Sequence, residues 1–168
     1  MITFEELNLP KKLQSIRDLS DEIWPKTFSA ILSPEQISYM MRMMYAPEIM
    51  EKELVNGYHF VIVRINGVPA GYFSWSAYTR NNTAKLHKVY LKHEFHGQGI
   101  GSLMLKETEK QVKAAGFTRL RLNVNKYNTR ARKAYFRNGF ADIEAVKIDI
   151  GNGFFMDNFV MEKTLITS

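Results

Sequence analysis

The stretch His96-Gly97-Gln98-Gly99-Ile100-Gly101-Ser102 decides the fold, because it joins an apolar strand to a helix through a loop with almost no side-chain bulk. Glycine adopts backbone angles that other residues resist, so such a loop can turn its N–H groups toward an anion. The helix that follows, over residues 100–115, adds unpaired N–H groups and the positive end of its dipole. The segment predicts main-chain binding of a phosphate or pyrophosphate. A plain strand-to-helix turn is the alternative.

Spacing excludes two well-known phosphate loops. The dinucleotide fingerprint requires a third glycine three residues after its second, and Ser102 or Met104 stands there. The P-loop ends in Gly-Lys-Ser/Thr, whereas this loop ends in Gly101-Ser102 without a lysine. A different phosphate-bearing ligand is therefore expected.

Length and composition bound the class of protein. A chain of 168 residues with 45% hydrophobic residues is expected to form one domain over residues 1–168. No apolar run approaches the roughly 20 residues that cross a bilayer, and the N-terminus lacks the pattern of a secretory signal. We therefore expect a cytoplasmic protein without membrane contact. The absence of cysteine excludes disulfides, thiolate metal sites and cysteine nucleophiles.

The charge is unevenly spread along the chain. Residues 1–57 carry 6 Lys and Arg against 9 Asp and Glu, a net −3, whereas residues 58–168 carry 17 against 8, a net +9. The glycine loop lies in the basic part, as an anionic ligand requires. A nucleic-acid partner is disfavoured because the basic residues are dispersed and no nucleic-acid-binding motif is present.

The acidic section is predicted to be helical throughout. Apolar spacing, the Ser33-Pro34-Glu35-Gln36 start and Pro47 indicate three helices. They are expected over residues 10–24, from residue 34, and from residue 47 to about residue 57.

The remainder is predicted to alternate strands with two further helices. Asn66-Gly67 and Asn152-Gly153 are favoured hairpin turns. Strands are expected at residues 59–65, 68–79, 83–92, 119–124, 140–150 and 154–163, with helices at 100–115 and 129–138. Strand 83–92, its helix and strand 119–124 form one βαβ unit with parallel strands. The fold class is therefore α+β, with a mostly antiparallel twisted sheet, one parallel pair and flanking helices.

The complete pattern resembles the GNAT superfamily of N-acetyltransferases. The segment His96-Gly97-Gln98-Gly99-Ile100-Gly101 is similar to the family signature Arg/Gln-x-x-Gly-x-Gly/Ala after a strand. Asn128-Thr129-Arg130-Ala131, followed by Tyr135 and Gly139-Phe140, resembles its second signature. Two further segments, residues 86–91 and 157–163, are loosely similar to bacterial polyamine-type acetyltransferases.

The resemblance implies acetyl-CoA as cofactor and a primary amine as acceptor. It implies that residues 58–168 bind the cofactor and that residues 1–57 form the acceptor side. It also assigns positions along the cofactor. The pantetheine arm and thioester would lie along Val89, Tyr90 and Leu91. The pyrophosphate would lie on His96, Gly97, Gln98, Gly99, Ile100, Gly101 and Ser102. The arm and sulfur would meet Asn123, Asn128, Ala131 and Tyr135.

His96 departs from the signature, because arginine or glutamine is usual at this position. A neutral imidazole donates one hydrogen bond and lacks the permanent charge of arginine. If His96 contacts the pyrophosphate, affinity for CoA is expected to rise as the pH falls through about 6.5. A loop residue without this role is the alternative.

Direct transfer requires an acid, a base and a donor for the oxyanion. Tyr135 is predicted to be the general acid that protonates the sulfur, and a bulge in strand 83–92 is predicted to offer a free N–H. His87 is the first candidate for the general base, because imidazole titrates near neutrality. Glu22, acting through a water chain, is the second candidate.

The acceptor side combines net negative charge with aromatic residues, which suits a small cationic amine or polyamine. Candidate substrate-binding residues are Trp24, Glu22, Tyr39 and Tyr45. The alternatives are a CoA-binding sensor without catalysis, a transferase that acts on protein N-termini or lysines, and a nucleic-acid binder. No metal site is predicted, and a homodimer is one assembly to test.

Overall fold

Seven strands form one mixed sheet in the order β1-β2-β3-β4-β5-β7-β6. The structure is a computed structural model that describes residues 1–78 and 80–166, so residue 79 of the predicted strand 68–79 lies outside the described residues. The strands are β1 (Ile2–Glu6), β2 (His59–Ile65), β3 (Val68–Tyr78), β4 (Thr83–Leu91), β5 (Arg119–Asn125), β6 (Ala141–Gly151) and β7 (Phe154–Thr164).

Five α-helices flank the sheet in the described part of the chain, together with two short 3-10 helices. The α-helices are α1 (Gln14–Phe28), α2 (Pro34–Tyr45), α3 (Pro47–Val55), α4 (Ile100–Ala114) and α5 (Thr129–Arg137). The 3-10 helices are Pro10–Leu13 and His93–Phe95. Among residues 1–78 and 80–166, no helix is both long and apolar enough to cross a bilayer.

The pairing pattern confirms the predicted fold class. β2, β3 and β4 are consecutive antiparallel neighbours. β4 pairs with β5 in parallel, and only Thr83–Leu86 and Arg119–Leu122 take part. Beyond Leu86 and Leu122 the two strands no longer pair, although each continues beside its other neighbour. The sheet therefore opens at its centre, at the carboxyl ends of the parallel strands.

The prediction that residues 1–57 are helical throughout is wrong. Ile2–Glu6 forms a strand that pairs antiparallel with β2, from Ile2 opposite Ile65 to Glu6 opposite Val61. Ile2 and Phe4 pack against the core from alternate positions, which is the period of a strand. Five residues give too short a pattern to distinguish from a helix start.

The first helix also extends beyond its predicted end at residue 24. α1 continues through Pro25 to Phe28. Trp24 and Phe28, one helical turn apart, are both buried and their ring centroids lie 4.6 Å apart. Packing of this face stabilises the last turn despite the proline.

Two apolar cores lie on opposite faces of the sheet. Alternate residues of β2 divide between them: Phe60 and Ile62 pack with α1–α3, while Val61 and Val63 belong to the cluster that includes α4. β2 is therefore buried on both faces, which explains its unbroken apolar sequence.

Candidate functional site

A cavity of about 600 Å³ lies where β4 and β5 diverge. Its lining comes from both strands, from the glycine loop, from α5, and on the opposite side from α1–α3 and β7. Backbone groups of β4 and β5 on the open edges are left without a strand partner, so a ligand can occupy their hydrogen bonds.

The predicted bulge is present at His87. Trp75 of β3 stands opposite Leu86, and the next residue, Ser74, stands opposite Lys88, so His87 has no counterpart. A bulge leaves backbone groups unpaired and redirects the side chains beside it. It therefore lies at the wall of the cavity, which both His87 and Lys88 line.

The glycine loop offers free amides to the cavity. Gly97 and Gly99 adopt positive φ angles of 78° and 79°. Within the described residues, no hydrogen bond uses the N–H of Gly97, Gln98 or Gly99. The first amides of α4 lack intrahelical partners by geometry. A Cβ at Gly101 would meet no protein atom within 4 Å, so the space above the loop is open. These features fit a bound diphosphate.

His96 forms a hydrogen bond within the protein, to the end of the strand that precedes the glycine loop. Its Nε2 lies 2.9 Å from the carbonyl oxygen of Leu91, to which it donates. Partial burial is the main cause that lowers the pKa of His96 from 6.5, and the Leu91 carbonyl acts against it. His96 therefore links the strand end to the loop and is neutral near pH 7. The pH at which the affinity for CoA is expected to rise therefore lies below 6.5.

Positive charge at this end of the cavity comes from α5. Arg130 and Arg137 both line the cavity, and the charge of Arg130 contributes to the lowered pKa values of His93 and His96. Arg130 belongs to the Asn128-Thr129-Arg130-Ala131 segment, but the sequence did not indicate a role for its charge. Arg130 therefore places a permanent cation near the glycine loop, where position 96 carries a histidine in place of the arginine of the signature.

Tyr135 lines the cavity from the last turn of α5 and is largely buried. Its ring packs edge-on against Phe140, with centroids 5.8 Å apart. Burial raises the pKa of the Tyr135 phenol, so the group stays protonated throughout the neutral range. Tyr90 lines the same cavity, and burial also raises the pKa of its phenol, with the nearby Tyr135 a contributing cause.

Other predicted cofactor residues are distributed around the opening. Asn123, Ala131 and Ser102 line the cavity, as do Val89 and Leu91. Asn128 also lines it while its side-chain oxygen accepts the N–H of Ala131, which caps α5. Ser102 accepts a hydrogen bond of 3.1 Å from Asn138, which ties α4 to α5. The lining does not include Gln98, which is exposed, or Ile100, which is buried under the loop.

His87 lies at the bulge, but its environment works against a role as base. Its Nε2 is 2.7 Å from Ser76 Oγ, and its ring stacks on Tyr58 at 4.4 Å. Burial, reinforced by Lys85 and Lys88, lowers the pKa of His87 to about 3. Such an imidazole is a weak proton acceptor at neutral pH. The geometry therefore favours a positioning role for His87.

Most of the residues predicted to form an acidic acceptor pocket in the N-terminal section lie outside the cavity lining. Glu22 is absent from the lining and forms an ion pair of 3.2 Å with Lys92. Tyr39 donates to the carbonyl of Ile150 at 2.5 Å, outside the lining. Tyr45 is buried in the core, where it hydrogen-bonds to Tyr72. Of the four substrate candidates, only Trp24 lines the cavity.

Sequence reasoning missed the one carboxylate that the described lining contains, Glu53 of α3. Its Oε1 lies 3.5 Å from Nζ of Lys88. Burial raises the pKa of Glu53, while the Lys88 charge opposes the shift. Lys88 in the predicted strand 83–92 was the available signal, because a lysine that becomes buried requires a partner for its charge.

Comparison with known proteins agrees with this geometry. Residues 13–140 match the model of the Acetyltransferase (GNAT) family. A spermidine N(1)-acetyltransferase from Thermoplasma acidophilum is 29% identical over 156 residues, which are 90% of each chain.

Solved structures have the same fold. The crystal structure of the PaiA N-acetyltransferase from Thermoplasma acidophilum in complex with coenzyme A superposes with a TM-score of 0.77 at 27% identity, covering 96% of this chain and 99% of that one. A GCN5-related N-acetyltransferase structure from Rhodopseudomonas palustris gives a TM-score of 0.79 at 18% identity, over 97% and 95% of the two chains. The chain therefore belongs to the GNAT acetyltransferase family, whose members take the acetyl group from acetyl-CoA.

Proposed function

We propose that this N-acetyltransferase transfers the acetyl group of acetyl-CoA directly to the primary amine of a small molecule. The observation that carries the proposal is the meeting of three features in one cavity: the free amides of the glycine loop, the bulge at His87 and the Tyr135 phenol. Acetyl-CoA supplies an activated thioester. The chain supplies alignment, proton transfer and stabilisation of developing charge.

The glycine loop and Arg130 hold the diphosphate, which fixes the depth of the cofactor. The open edges of β4 and β5 then receive the amide groups of the pantetheine arm. Backbone N–H groups of β4 that face the gap are fixed donors for the thioester carbonyl. Fixed donors in a water-poor site stabilise an oxyanion without reorganisation.

Proton transfer runs between Glu53, the amine and Tyr135. The substrate ammonium gives one proton to the Glu53 carboxylate. As the nitrogen–carbon bond forms and the carbon–sulfur bond breaks, the sulfur takes the Tyr135 proton. The surplus proton on the nitrogen restores the phenol through water, and Glu53 releases its proton to solvent. Amide, CoA thiol and one proton are the products.

Glu53 is our candidate base, because it is the carboxylate among the described lining residues and its pKa is raised by burial. Glu53→Gln is expected to lower kcat/KM and to flatten its acidic limb, and Glu53→Asp to restore part of the activity. Glu22→Gln is the matched control, since Glu22 lies outside the lining.

Thiol release from acetyl-CoA with a panel of primary amines tests the function. Spermidine, the acceptor in the name of the Thermoplasma relative, belongs in the first panel. Amine-dependent thiol release, with an acetylated amine found by mass spectrometry, is expected. CoA binding without thiol release from any amine would instead indicate a non-catalytic sensor.

A further inference from the structure

The acceptor end of the cavity is mainly apolar and rich in methionine, with Thr27 and Gln36 as the polar side chains that α1 and α2 add to the lining. It is formed opposite the cofactor residues by side chains of α1, α2 and the β7 strand. These are Phe28, Met40, Met43, Met44, Phe155 and Met156. Thioethers are flexible and polarisable, and they make favourable contacts with the edges of aromatic rings. Such a wall suits a hydrocarbon or aryl group. It offers a second ammonium ring faces but no carboxylate, and the Phe155 ring already has the Lys147 ammonium 4.9 Å from its centroid.

Charges around the same cavity disfavour a polycation. Glu53 is the carboxylate of the described lining, and Lys88 already faces it at 3.5 Å. Lys85 also lines the cavity, while Arg130 and Arg137 line its cofactor end. The six other acidic residues of α1–α3 lie outside the lining. One ammonium can bind at Glu53, whereas further ammonium groups would meet either apolar side chains or cations.

The apolar wall is continuous with the surface. Ile49 and Phe155 line the cavity and are 37% and 44% exposed. Contiguous exposed apolar patches often mark ligand-binding grooves or interaction sites. An amine with an apolar body can therefore enter with its body against these side chains and its nitrogen inward.

We infer that the acceptor is a primary monoamine with an apolar body, such as an arylalkylamine, whose ammonium binds at Glu53 and whose body packs on the methionine wall. This inference rests on the proposed transfer to an amine. The probes are 2-phenylethylamine and spermidine, compared by thiol release at saturating acetyl-CoA. We expect kcat/KM for 2-phenylethylamine to exceed that for spermidine by at least about tenfold.

Met44→Gln tests the wall, because glutamine has a similar shape and adds a polar amide. It is expected to lower kcat/KM for 2-phenylethylamine by about three- to tenfold while leaving CoA affinity unchanged. Met41→Gln on the same helix is the control, since Met41 lies outside the lining. Its kinetic constants should match those of the wild type. A second control, the urea midpoint of both variants, separates loss of the wall from loss of the fold.

The outcomes distinguish the inference from the proposed function. Equal or greater kcat/KM for spermidine overturns the inference and leaves the transferase intact. Unchanged kinetics for Met44→Gln also overturn it. Absence of thiol release with every amine overturns the proposed function itself. A binding measurement with CoA alone shows whether that failure arises at the cofactor.

Discussion

Lys88 and Glu53 form an ion pair at the wall of the cavity, with Nζ 3.5 Å from Oε1, the lysine side chain only 2% exposed and that of Glu53 21% exposed. Burial lowers the pKa of Lys88 and raises that of Glu53, and each charge opposes the shift of the other. Removing one partner leaves the other charge without compensation in a poorly solvated site.

A double-mutant cycle with Glu53→Gln and Lys88→Met should therefore be non-additive. Each single variant is expected to lose stability, and the double variant to recover part of it, with a coupling energy of about 1–3 kcal/mol in urea unfolding. The exposed pair Lys12 and Glu5 is the control, expected to couple by less than about 1 kcal/mol. If the effects of Glu53→Gln and Lys88→Met on the free energy of unfolding simply add, the two charges do not stabilise each other.

Gly101→Ala should change stability and CoA affinity in opposite directions. Gly101 lies in the first turn of α4 at an ordinary negative φ, and its Cβ would meet no protein atom within 4 Å. Alanine should therefore stabilise the helix by up to about 1 kcal/mol. The added methyl occupies the space expected to hold the diphosphate, so CoA should bind at least about tenfold more weakly by calorimetry. Leu103→Ala, outside the lining, should leave CoA affinity unchanged.

Tyr135→Phe should keep CoA affinity and lower turnover by about a hundredfold or more, because the variant lacks the proton for the sulfur. Tyr90→Phe is the matched control, since Tyr90 is a second, partly buried tyrosine that lines the same cavity. Its turnover should fall much less. If Tyr90→Phe shows the large loss of turnover and Tyr135→Phe the small one, Tyr90 is the acid and the role of Tyr135 is structural.

His87 should make the protein less stable in acid. Its pKa is lowered to about 3, whereas an unfolded histidine titrates near 6.5. Between these values the unfolded chain binds the extra proton, so stability falls as the pH decreases from 6.5 toward 3. The slope from this group approaches about 1.4 kcal/mol per pH unit. His87→Gln, which can keep a bond to Ser76, should reduce the slope of urea stability against pH. An unchanged slope would show that His87 titrates normally.

His96 should affect CoA binding through loop geometry, without a titration near pH 7. The lowered pKa keeps the ring neutral between pH 6.5 and 8. His96→Ala should weaken CoA binding at every pH in this range by a constant factor, because the bond to Leu91 is lost. If the CoA affinity of the wild type instead rises steeply as the pH falls through 6.5, and that of His96→Ala does not, protonated His96 contacts the diphosphate directly.

Local sequence was sufficient for the features that local geometry decides. The glycine loop, the Asn128 cap and the hairpin turn at Asn152 each depend on backbone angles or bonds within a few residues. The parallel pair followed from the connection between two strands. These features fix the cofactor side of the site.

The acceptor side could not be predicted, because it depends on which face of each helix meets the sheet. Tyr39 and Tyr45 lie on α2 beside the methionines of the wall, yet one bonds to Ile150 and the other to Tyr72. Glu53 and Lys88 meet only after α3 packs on β4, so spacing along the chain could not pair them. Desolvation of His87 likewise arises from its neighbours in space.

The early end of pairing between β4 and β5 carries a cost for the empty protein. Beyond Leu86 and Leu122, backbone N–H and C=O groups in the middle of the sheet have no hydrogen-bond partner from the neighbouring strand. A variant in which β4 and β5 paired along their whole length would be more stable, but it would lack the cavity in which the reaction takes place. Loading with cofactor should accordingly slow amide hydrogen exchange along this seam more than at the outer strands β1 and β6.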